Sequence, residues 1–240
     1  MNPSQTIQEQ EDKLSVLRKY KKYVTKDGKA ILFTIKSCRG EEVTCPNLLN
    51  APRPLAKRMR DRLERLSFNQ RLYDKIPTRI LPHMTFKLAV AGCPNACSMP
   101  QIKDFGVIAQ ESVAVDPSCE CNLCRKCLTE CMEGAIIIKE DRTVIIDQEK
   151  CVNCGLCARV CPTGSIKIDK VGYSILLGGK VGRRPRFAVL LVELATEEQV
   201  IKALDICAEK ILTEKGRNRY GFLAEKGFHE ELRKALKEVS

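Results

Sequence analysis

Residues 121–131 read Cys121-Asn122-Leu123-Cys124-Arg125-Lys126-Cys127-Leu128-Thr129-Glu130-Cys131. Residues 151–162 read Cys151-Val152-Asn153-Cys154-Gly155-Leu156-Cys157-Ala158-Arg159-Val160-Cys161-Pro162. Each run spaces its thiols as C-x2-C-x2-C-x3-C. Thiolates are anions, and four held together without metal repel one another; iron resolves this by taking the charge into bonds. The spacing, met twice, is the ligand pattern for a pair of [4Fe–4S] clusters. It also fixes the wiring, because the fourth cysteine of each run reaches across to the other cluster. Cys121, Cys124, Cys127 and Cys161 therefore belong to one cluster, and Cys151, Cys154, Cys157 and Cys131 to the second. Disulfides suit small secreted chains, and no signal peptide is visible here. Zinc sites use paired cysteines, not triplets with a distant fourth.

The two runs sit in an internal repeat. Val113-Ala114-Val115-Asp116 leads into the first and Val144-Ile145-Ile146-Asp147 into the second. Gly134-Ala135-Ile136-Ile137-Ile138 and Gly164-Ser165-Ile166-Lys167-Ile168 follow them. Each unit predicts strand, loop, short helix and strand, too small to bury a core alone. The clusters act as that core, so metal-free protein is expected to lose structure here. Residues 116–168 resemble a bacterial two-cluster ferredoxin. Met132 departs from that family, where proline usually follows the fourth cysteine. Cys119 is surplus to the pattern and reads as a bystander thiol.

The chain has 240 residues, enough for one large domain or two small ones. Apolar content of 44% is ordinary for a globular protein. No apolar run approaches the roughly 20 residues needed to span a bilayer; the longest, at 187–192 and 135–138, are strand-sized. Residues 1–13 are polar and expected to fray, and 1–30 read as an N-terminal tail. Fourteen cysteines without a signal peptide point to a reducing compartment, the cytoplasm.

The net charge of +11 raises the question of nucleic acid. Aromatics make up only 5%, with no tryptophan, which leaves little to stack on single strands, and no nucleic-acid partner is expected. The charge is also local. Residues 53–71 predict one basic helix, with Pro54 near its first turn and Leu55, Met59, Leu63 and Leu66 at helical spacing. Lys57, Arg58, Arg60, Arg62 and Arg65 occupy its other faces. Such a face is either solvated or meets a partner rich in carboxylates, an acidic electron donor or a polycarboxylate cofactor.

A second constellation lies upstream. A strand expected over 86–90 runs into Gly92-Cys93-Pro94-Asn95-Ala96-Cys97, and Asp104-Phe105-Gly106 turns into another strand at 107–109. The turn offers backbone N–H groups and two thiols together, as cluster ligation needs. With these residues the chain resembles the sulfite and nitrite reductases that couple sirohaem to a [4Fe–4S] cluster, over most of residues 31–240. Cys93 and Cys97 match that family's second cysteine pair, and the resemblance gives Cys97 the bridge between cluster and sirohaem iron. Arg39-Gly40-Glu41-Glu42-Val43-Thr44-Cys45-Pro46 resembles the site of the first pair. Tyr173-Ser174-Ile175-Leu176-Leu177-Gly178-Gly179-Lys180-Val181-Gly182-Arg183 resembles its Gly-Gly strand and turn. A helix over 197–215 and the segment Arg219-Tyr220-Gly221-Phe222 have counterparts too. In dissimilatory and clostridial-type members a two-cluster ferredoxin is inserted just after the Gly-Cys-Pro-Asn segment, as here. The implied fold is α+β: a sulfite-reductase-like mixed sheet with helices, in two parts at 31–115 and 169–240, interrupted by a two-[4Fe–4S] ferredoxin domain at 116–168.

Two departures stand out. The family's first pair is Cys-x5-Cys, and counting from Cys45 puts the second ligand on Ala51. A third cluster on Cys45, Cys93 and Cys97 is then one thiol short, and Cys38 is the spare that can supply it. Family members also usually begin with a half-module whose arginines and lysines meet the sirohaem carboxylates and the substrate anion. Only residues 1–30 precede Ile31, and no positions match that module. Arg39, Lys180, Arg183 and Arg184 are candidates for contact with a small anion by charge and location.

Other residues have plainer readings. His83 and His229 are the only histidines, and His83, in a loop without a paired ligand, reads as structural. Cys207 lies among Val200, Ala203, Leu204 and Ile211 at core spacing. No phosphate-loop or dinucleotide fingerprint is present, so electrons must come from a partner protein, acidic and carrying flavin or iron–sulfur. The expected function is an oxidoreductase that passes electrons through the ferredoxin clusters to a sirohaem-coupled [4Fe–4S] site and reduces sulfite or nitrite. The alternative is a sirohaem-free electron-transfer subunit on the same scaffold, favoured by Ala51 and the short N-terminus. Either reading leaves room for a second reductase subunit or a homo-oligomer.

Overall fold

A mixed sheet with central strands buried along most of their length sets the architecture. The computed structural model describes residues 11–214 and 220–239. Five strands, β1 (Phe33–Ser37), β2 (Phe86–Ala91), β3 (Phe105–Val115), β6 (Ile166–Leu177) and β7 (Val189–Ala195), form one mixed sheet in the order β1-β2-β3-β6-β7. β4 (Ile136–Ile138) and β5 (Val144–Ile146) form a separate antiparallel ribbon. The pairs β1–β2 and β2–β3 are parallel, whereas β3–β6 and β6–β7 are antiparallel.

Successive side chains on a strand point to opposite faces. Phe33, Phe86, Leu88, Val90, Phe105, Val107, Ile175 and Leu177 share one face and are buried in the main core. Four helices cover that face: α1 (Pro52–Arg65), α2 (Phe68–Lys75), α5 (Glu197–Thr213) and α6 (Lys226–Lys237). α5 starts at a capping box, in which Thr196 Oγ1 accepts from Gln199 N–H and Gln199 Oε1 accepts from Thr196 N–H. Its buried stripe is Val200, Ala203, Leu204, Cys207 and Ile211. Cys207 is fully enclosed, as its core spacing predicts, and burial pushes its thiol pKa upward. His229 is also buried, its Nε2 2.8 Å from the Leu223 carbonyl oxygen, while His83 is exposed.

The ferredoxin segment is not hung on a flexible linker. β3 and β6 run past the main sheet and stay paired to their far ends, Val115 opposite Ile166. A register shift at Ser112/Val113 marks where the sheet ends and the insert begins. β-Bulges of this kind bend and twist a strand, which re-aims the extension. Val113 and Ile166 join Ile136, Val144 and the cysteines Cys121, Cys127 and Cys157 in a second, small core. Two short helices, α3 (Lys126–Glu130) and α4 (Leu156–Arg159), each carry the third cysteine of a run.

Three sequence expectations change. The basic stretch 53–71 is not one helix: Ser67, at φ +50°, breaks it into α1 and α2. Its charge is not reserved for a partner either. Arg58 pairs with Glu197 and Glu198, Arg62 with Asp205 at 2.7 Å, and Arg71 with both carboxylate oxygens of Glu209 at 2.8 Å, all on α5. The acidic face of α5 lay too far away in sequence to be matched to them by periodicity. Finally, the expected tail is built into the fold from residue 11 on. Leu14, Leu17, Tyr23 and Ala30 belong to the main core, and Lys13 Nζ donates to the Tyr73 carbonyl. Residues 1–10 lie outside the described residues, as does Arg219.

Candidate functional site

β1 and β2 run parallel and end side by side, and each is followed at once by a thiol. Cys38 follows Ser37, and Gly92-Cys93 follow Ala91. The carboxyl ends of parallel strands are where open sheets place their ligands. Cys38 N–H donates to Val90 O at 3.1 Å, and Gly92 N–H donates to the Cys38 sulfur at 3.4 Å. The loop from 39 to 44 then folds back, with Cys45 N–H donating to Gly40 O. Burial, and then the neighbouring sulfurs of Cys45, Cys38 and Cys97, push the Cys93 thiol up against the hydrogen bond from Asn95. Four thiols therefore converge: Cys38, Cys45, Cys93 and Cys97. Cys93 is buried, Cys38 and Cys45 are half-buried, and Cys97 is exposed.

Cys38, the spare thiol of the sequence, stands with the other three. Ala51 is the N-cap residue of α1, and the preceding Leu49 and Asn50 N–H groups both donate to Gly92 O, at 2.9 and 3.2 Å. The loop is tied down further by Asn50 Nδ2, which donates to the Tyr173 hydroxyl at 2.6 Å, and by that hydroxyl donating to Glu197 at 3.2 Å. Burial and then the Glu197 charge push the Tyr173 pKa up, so the phenol stays protonated and keeps donating.

The insert brings its cysteines together in two groups. Cys131, Cys151, Cys154 and Cys157 all line one cavity of about 140 Å³. Burial pushes the Cys157 thiol up to about 12, with Cys154, Cys151 and Cys131 adding to it. In the other group Cys127 is raised first by burial and then by Cys161 and Cys121. Cys161 goes the other way: burial is outweighed by hydrogen bonds from Ser165, Ile166 N–H and Thr163, and its thiol sits at about 7. Cys124 is exposed. The same cavity is also lined by Pro94 and Asn95, from the turn between Cys93 and Cys97. The inner thiol group of the insert thus abuts the thiol group of the sheet. Thiols gathered in this way suit polynuclear iron, which needs four thiolates at once. Among the described residues, no three His, Cys, Asp or Glu side chains crowd close enough for a single metal ion.

Residues 29–240 match the nitrite and sulphite reductase 4Fe-4S domain. The chain belongs to that family. Among curated relatives of this nitrite and sulphite reductase domain, the coenzyme F420-dependent sulfite reductase of Methanocaldococcus jannaschii is 32% identical over 69% of this chain and 25% of that protein. The dissimilatory-type sulfite reductase subunit alpha of Allochromatium vinosum is 29% identical over 61% of this chain and 36% of that subunit. The chain thus spans about a quarter to a third of the length of these relatives. An uncharacterised ferredoxin of M. jannaschii is 34% identical, over 24% of this chain and 95% of its own length. The fold is that of the crystal structure of dissimilatory sulfite reductase I, at TM-score 0.55 and 20% identity, covering 86% of this chain and 52% of that one.

The candidate anion contacts divide. Arg39 is exposed beside Cys38. Lys180, Arg183 and Arg184 are exposed on a hairpin closed by paired hydrogen bonds between Lys180 and Arg186. That hairpin leans on the segment after Cys97: Ala188 N–H donates to Gln101 O at 2.6 Å, and the Gly179 position has no room for a side chain against Gln101 O and Lys103 O. Gly178, at φ +77°, meets Leu223 O as closely, so the Gly-Gly pair serves packing.

Sequence reasoning missed a set of cations on the sheet's outer face. Lys103 is lowered first by burial and then by the nearby charges of Lys36 and Lys87. Arg186 lies near Asp104 and donates to Gly178 O at 2.6 Å. The signal was present in Phe33-Thr34-Ile35-Lys36 and Phe86-Lys87-Leu88, where lysines interrupt apolar strands. Only the register, which sets Lys87 opposite Thr34 and Lys36 opposite Ala89, puts them on a common face.

Proposed function

We propose that this chain is a sirohaem-dependent reductase module that accepts electrons at the ferredoxin insert and reduces sulfite, or nitrite, at the Cys97 edge of the sheet. The observation that carries this is the shared cavity, where Cys131, Cys151, Cys154 and Cys157 face Pro94 and Asn95 of the Cys93–Cys97 turn. An electron path needs its stations close together, and two residues of the Cys93–Cys97 turn line the same cavity as the inner thiol group.

The residues fit the groups this reading requires. Cys121, Cys124, Cys127 and Cys161 would hold the outer [4Fe–4S] cluster, Cys131, Cys151, Cys154 and Cys157 the inner one, and Cys38, Cys45, Cys93 and Cys97 the third. Cys97 is the exposed thiol of its set, so its sulfur is the one open to a second metal. When bound, the clusters store single electrons and sirohaem supplies the iron on which the anion is reduced. The chain's own part is placement and charge. Gly92 O and the Asn50–Tyr173–Glu197 chain hold the two cysteine loops in register. Arg39 and the Lys180 hairpin would offer cations to an anion or to sirohaem carboxylates, whose burial demands them. Sulfite is favoured over nitrite because the M. jannaschii and A. vinosum relatives are named sulfite reductases. An electron-transfer subunit without sirohaem drew part of its support from a ligand lost at Ala51; the thiol of Cys38 beside Cys93 supports the fuller ligand set instead.

The test is anaerobic purification from the native host with any partners retained. Iron analysis is expected to give about twelve cluster irons per chain, from three clusters of four. The optical spectrum should carry sharp sirohaem bands, and reduced viologen should drive sulfide formation from sulfite. Iron–sulfur absorption alone, with no turnover of sulfite or nitrite while partners are bound, would return the reading to the electron-transfer subunit.

A further inference from the structure

β3 runs from the main sheet into the insert, and Glu111 stands where the two meet. Its N–H donates to Asn153 O at 2.8 Å, beside Cys154. Its Oε2 accepts from Arg159 Nη2 at 2.7 Å, and its side chain is 11% exposed against 34% for the arginine. The same oxygen lies against Gly155: a Cβ there would stand 2.4 Å from Glu111 Oε2 and 3.1 Å from Glu111 Cβ. Gly155, at φ +68°, lies between Cys154 and Cys157, and all three line the cavity of the inner thiol group. A buried carboxylate thus rests on the backbone of the ligand loop itself.

Other charges stand near this group, and they differ in burial. Glu130 and Glu133 line the same cavity, and Glu193 of β7 lies near Cys151; all three are exposed. Lys150, next to Cys151, is exposed and pairs with Asp147 at 3.5 Å. Water and salt screen exposed charges, whereas a buried one acts through a medium of lower dielectric constant. Arg159 offsets Glu111 only in part, because it is the more exposed member of the pair. The carboxylate is not needed merely to join loop to sheet, since the Glu111 N–H already does so. A residue with an apolar side chain would keep that bond and avoid the cost of a buried charge.

We propose that Glu111 sets the direction of electron flow: its buried charge, partly offset by Arg159, makes the inner cluster the stronger reductant, so that an electron there passes on to the third thiol group. This rests on the cluster reading of the insert and adds the residue that tunes it. Reduction puts one more negative charge on a cluster, and a fixed carboxylate nearby makes that form costlier. Local charge is one of the levers that set cluster potentials. In the transfer the inner cluster loses one electron and the third gains it, with no bond made or broken. Glu111 touches neither substrate nor reacting atoms. It is a positioning residue that acts through the Cys154–Cys157 loop.

The experiment uses the full chain with its clusters in place, titrated anaerobically against redox mediators and followed by electron spin resonance. In Glu111→Gln one cluster step, and one only, should move to higher potential. Where the wild-type step is half reduced, the ratio of reduced to oxidised cluster should rise about tenfold, the effect of one charge about 7 Å away at an effective dielectric constant of about 35. Adding Arg159→Gln removes a positive charge and should bring the step part of the way back, a reversal that a loosened loop does not produce. Glu133→Gln, which removes an exposed carboxylate from the same cavity, should change the ratio less than about twofold. Glu111→Asp draws the charge back from Gly155 by one carbon. It should move the step the same way by less, and it carries the test if Glu111→Gln does not retain iron. Iron content separates the two readings: wild-type protein without the ferredoxin irons removes the cluster reading itself. Full iron with a change under about twofold in the Glu111 variant overturns the tuning role. So does an equal shift in Glu133→Gln, an equal shift of every cluster step, or a double variant that moves no part of the way back.

Discussion

Gly92 is where the architecture of the third thiol group can be broken by one carbon atom. Its backbone is not left-handed, so alanine is allowed there by conformation. The obstacle is space. A Cβ at 92 would stand 2.4 Å from Leu48 Cδ1, 2.6 Å from Asn50 O and 3.3 Å from Pro52 Cδ. The leucine methyl ends a flexible side chain and can turn away. The Asn50 oxygen is backbone, held by the loop's own hydrogen bonds to Gly92. Ordinary contact begins near 3.4 Å, so in Gly92→Ala the loop must retreat by about 0.8 Å. That retreat weakens the bonds from Leu49 and Asn50 N–H to Gly92 O, each worth roughly 1 kcal/mol net. Overpacking adds to this, and the expected destabilisation is about 2–4 kcal/mol. The same movement carries Cys45 away from Cys93. Iron per chain should therefore fall by about four, while the insert keeps its clusters. Denaturant unfolding and iron analysis on the same anaerobic preparation measure both effects. Full iron together with stability within about 0.5 kcal/mol of wild type would refute the reasoning.

Cys38→Ala removes the thiol that the structure brings to the third group. The expected result is a three-iron cluster or loss of that cluster, read by electron spin resonance, and an unchanged spectrum would make Cys38 a packing thiol. Burial pushes the Asp104 carboxyl up to about 6, against the hydrogen bond from Lys87 N–H and the charges of Lys87, Arg186 and Lys103. An unfolded aspartate titrates near 3.9, so the folded chain binds more protons in between. Stability should fall by about 2–3 kcal/mol as pH rises from 4 to above 6, and Asp104→Asn should lack this component of the pH profile; identical profiles contradict it. Glu111 is buried on β3 and accepts from Arg159 at 2.7 Å, and its N–H donates to Asn153 O, so it fastens the Cys154 loop to the sheet. Glu111→Gln should destabilise the folded protein by about 2 kcal/mol, discounted for the half-exposed arginine, and should speed proteolysis within the insert. An unaltered cleavage pattern speaks against the latch.

Much of the fold was legible because local patterns suffice for it. The apolar run at 86–90 gave one central strand, the family resemblance at 173–183 gave another, and the helical spacing around Cys207 gave α5. What failed depended on contacts between distant segments. The stretch 53–71 has helical periodicity throughout, yet Ser67 breaks it, since α1 and α2 must both reach the core with Leu63 and Phe68. Its arginines read as a face awaiting a partner because the answering carboxylates lie about 140 residues away on α5. The tail read as loose because residues 1–13 are polar, although Leu14 and Leu17 anchor the segment in the main core.

The sequence by itself set the expectation for the insert. Two runs spaced by two, two and three residues are the ligand pattern of a cluster pair, with the fourth thiol of each run crossing to the other cluster. It also determined that Gly92-Cys93-Pro94-Asn95-Ala96-Cys97 follows directly on a strand. The tertiary structure decided the rest: that Cys38 stands with Cys45, Cys93 and Cys97, that Ala51 caps a helix, and that the Cys131 group abuts Pro94 and Asn95. None of these follows from spacing, because each depends on which strands lie side by side and in what register. β1 and β2 are separated by about 50 residues of chain, and only their parallel pairing brings Ser37 level with Val90, and so Cys38 beside Gly92 and Cys93.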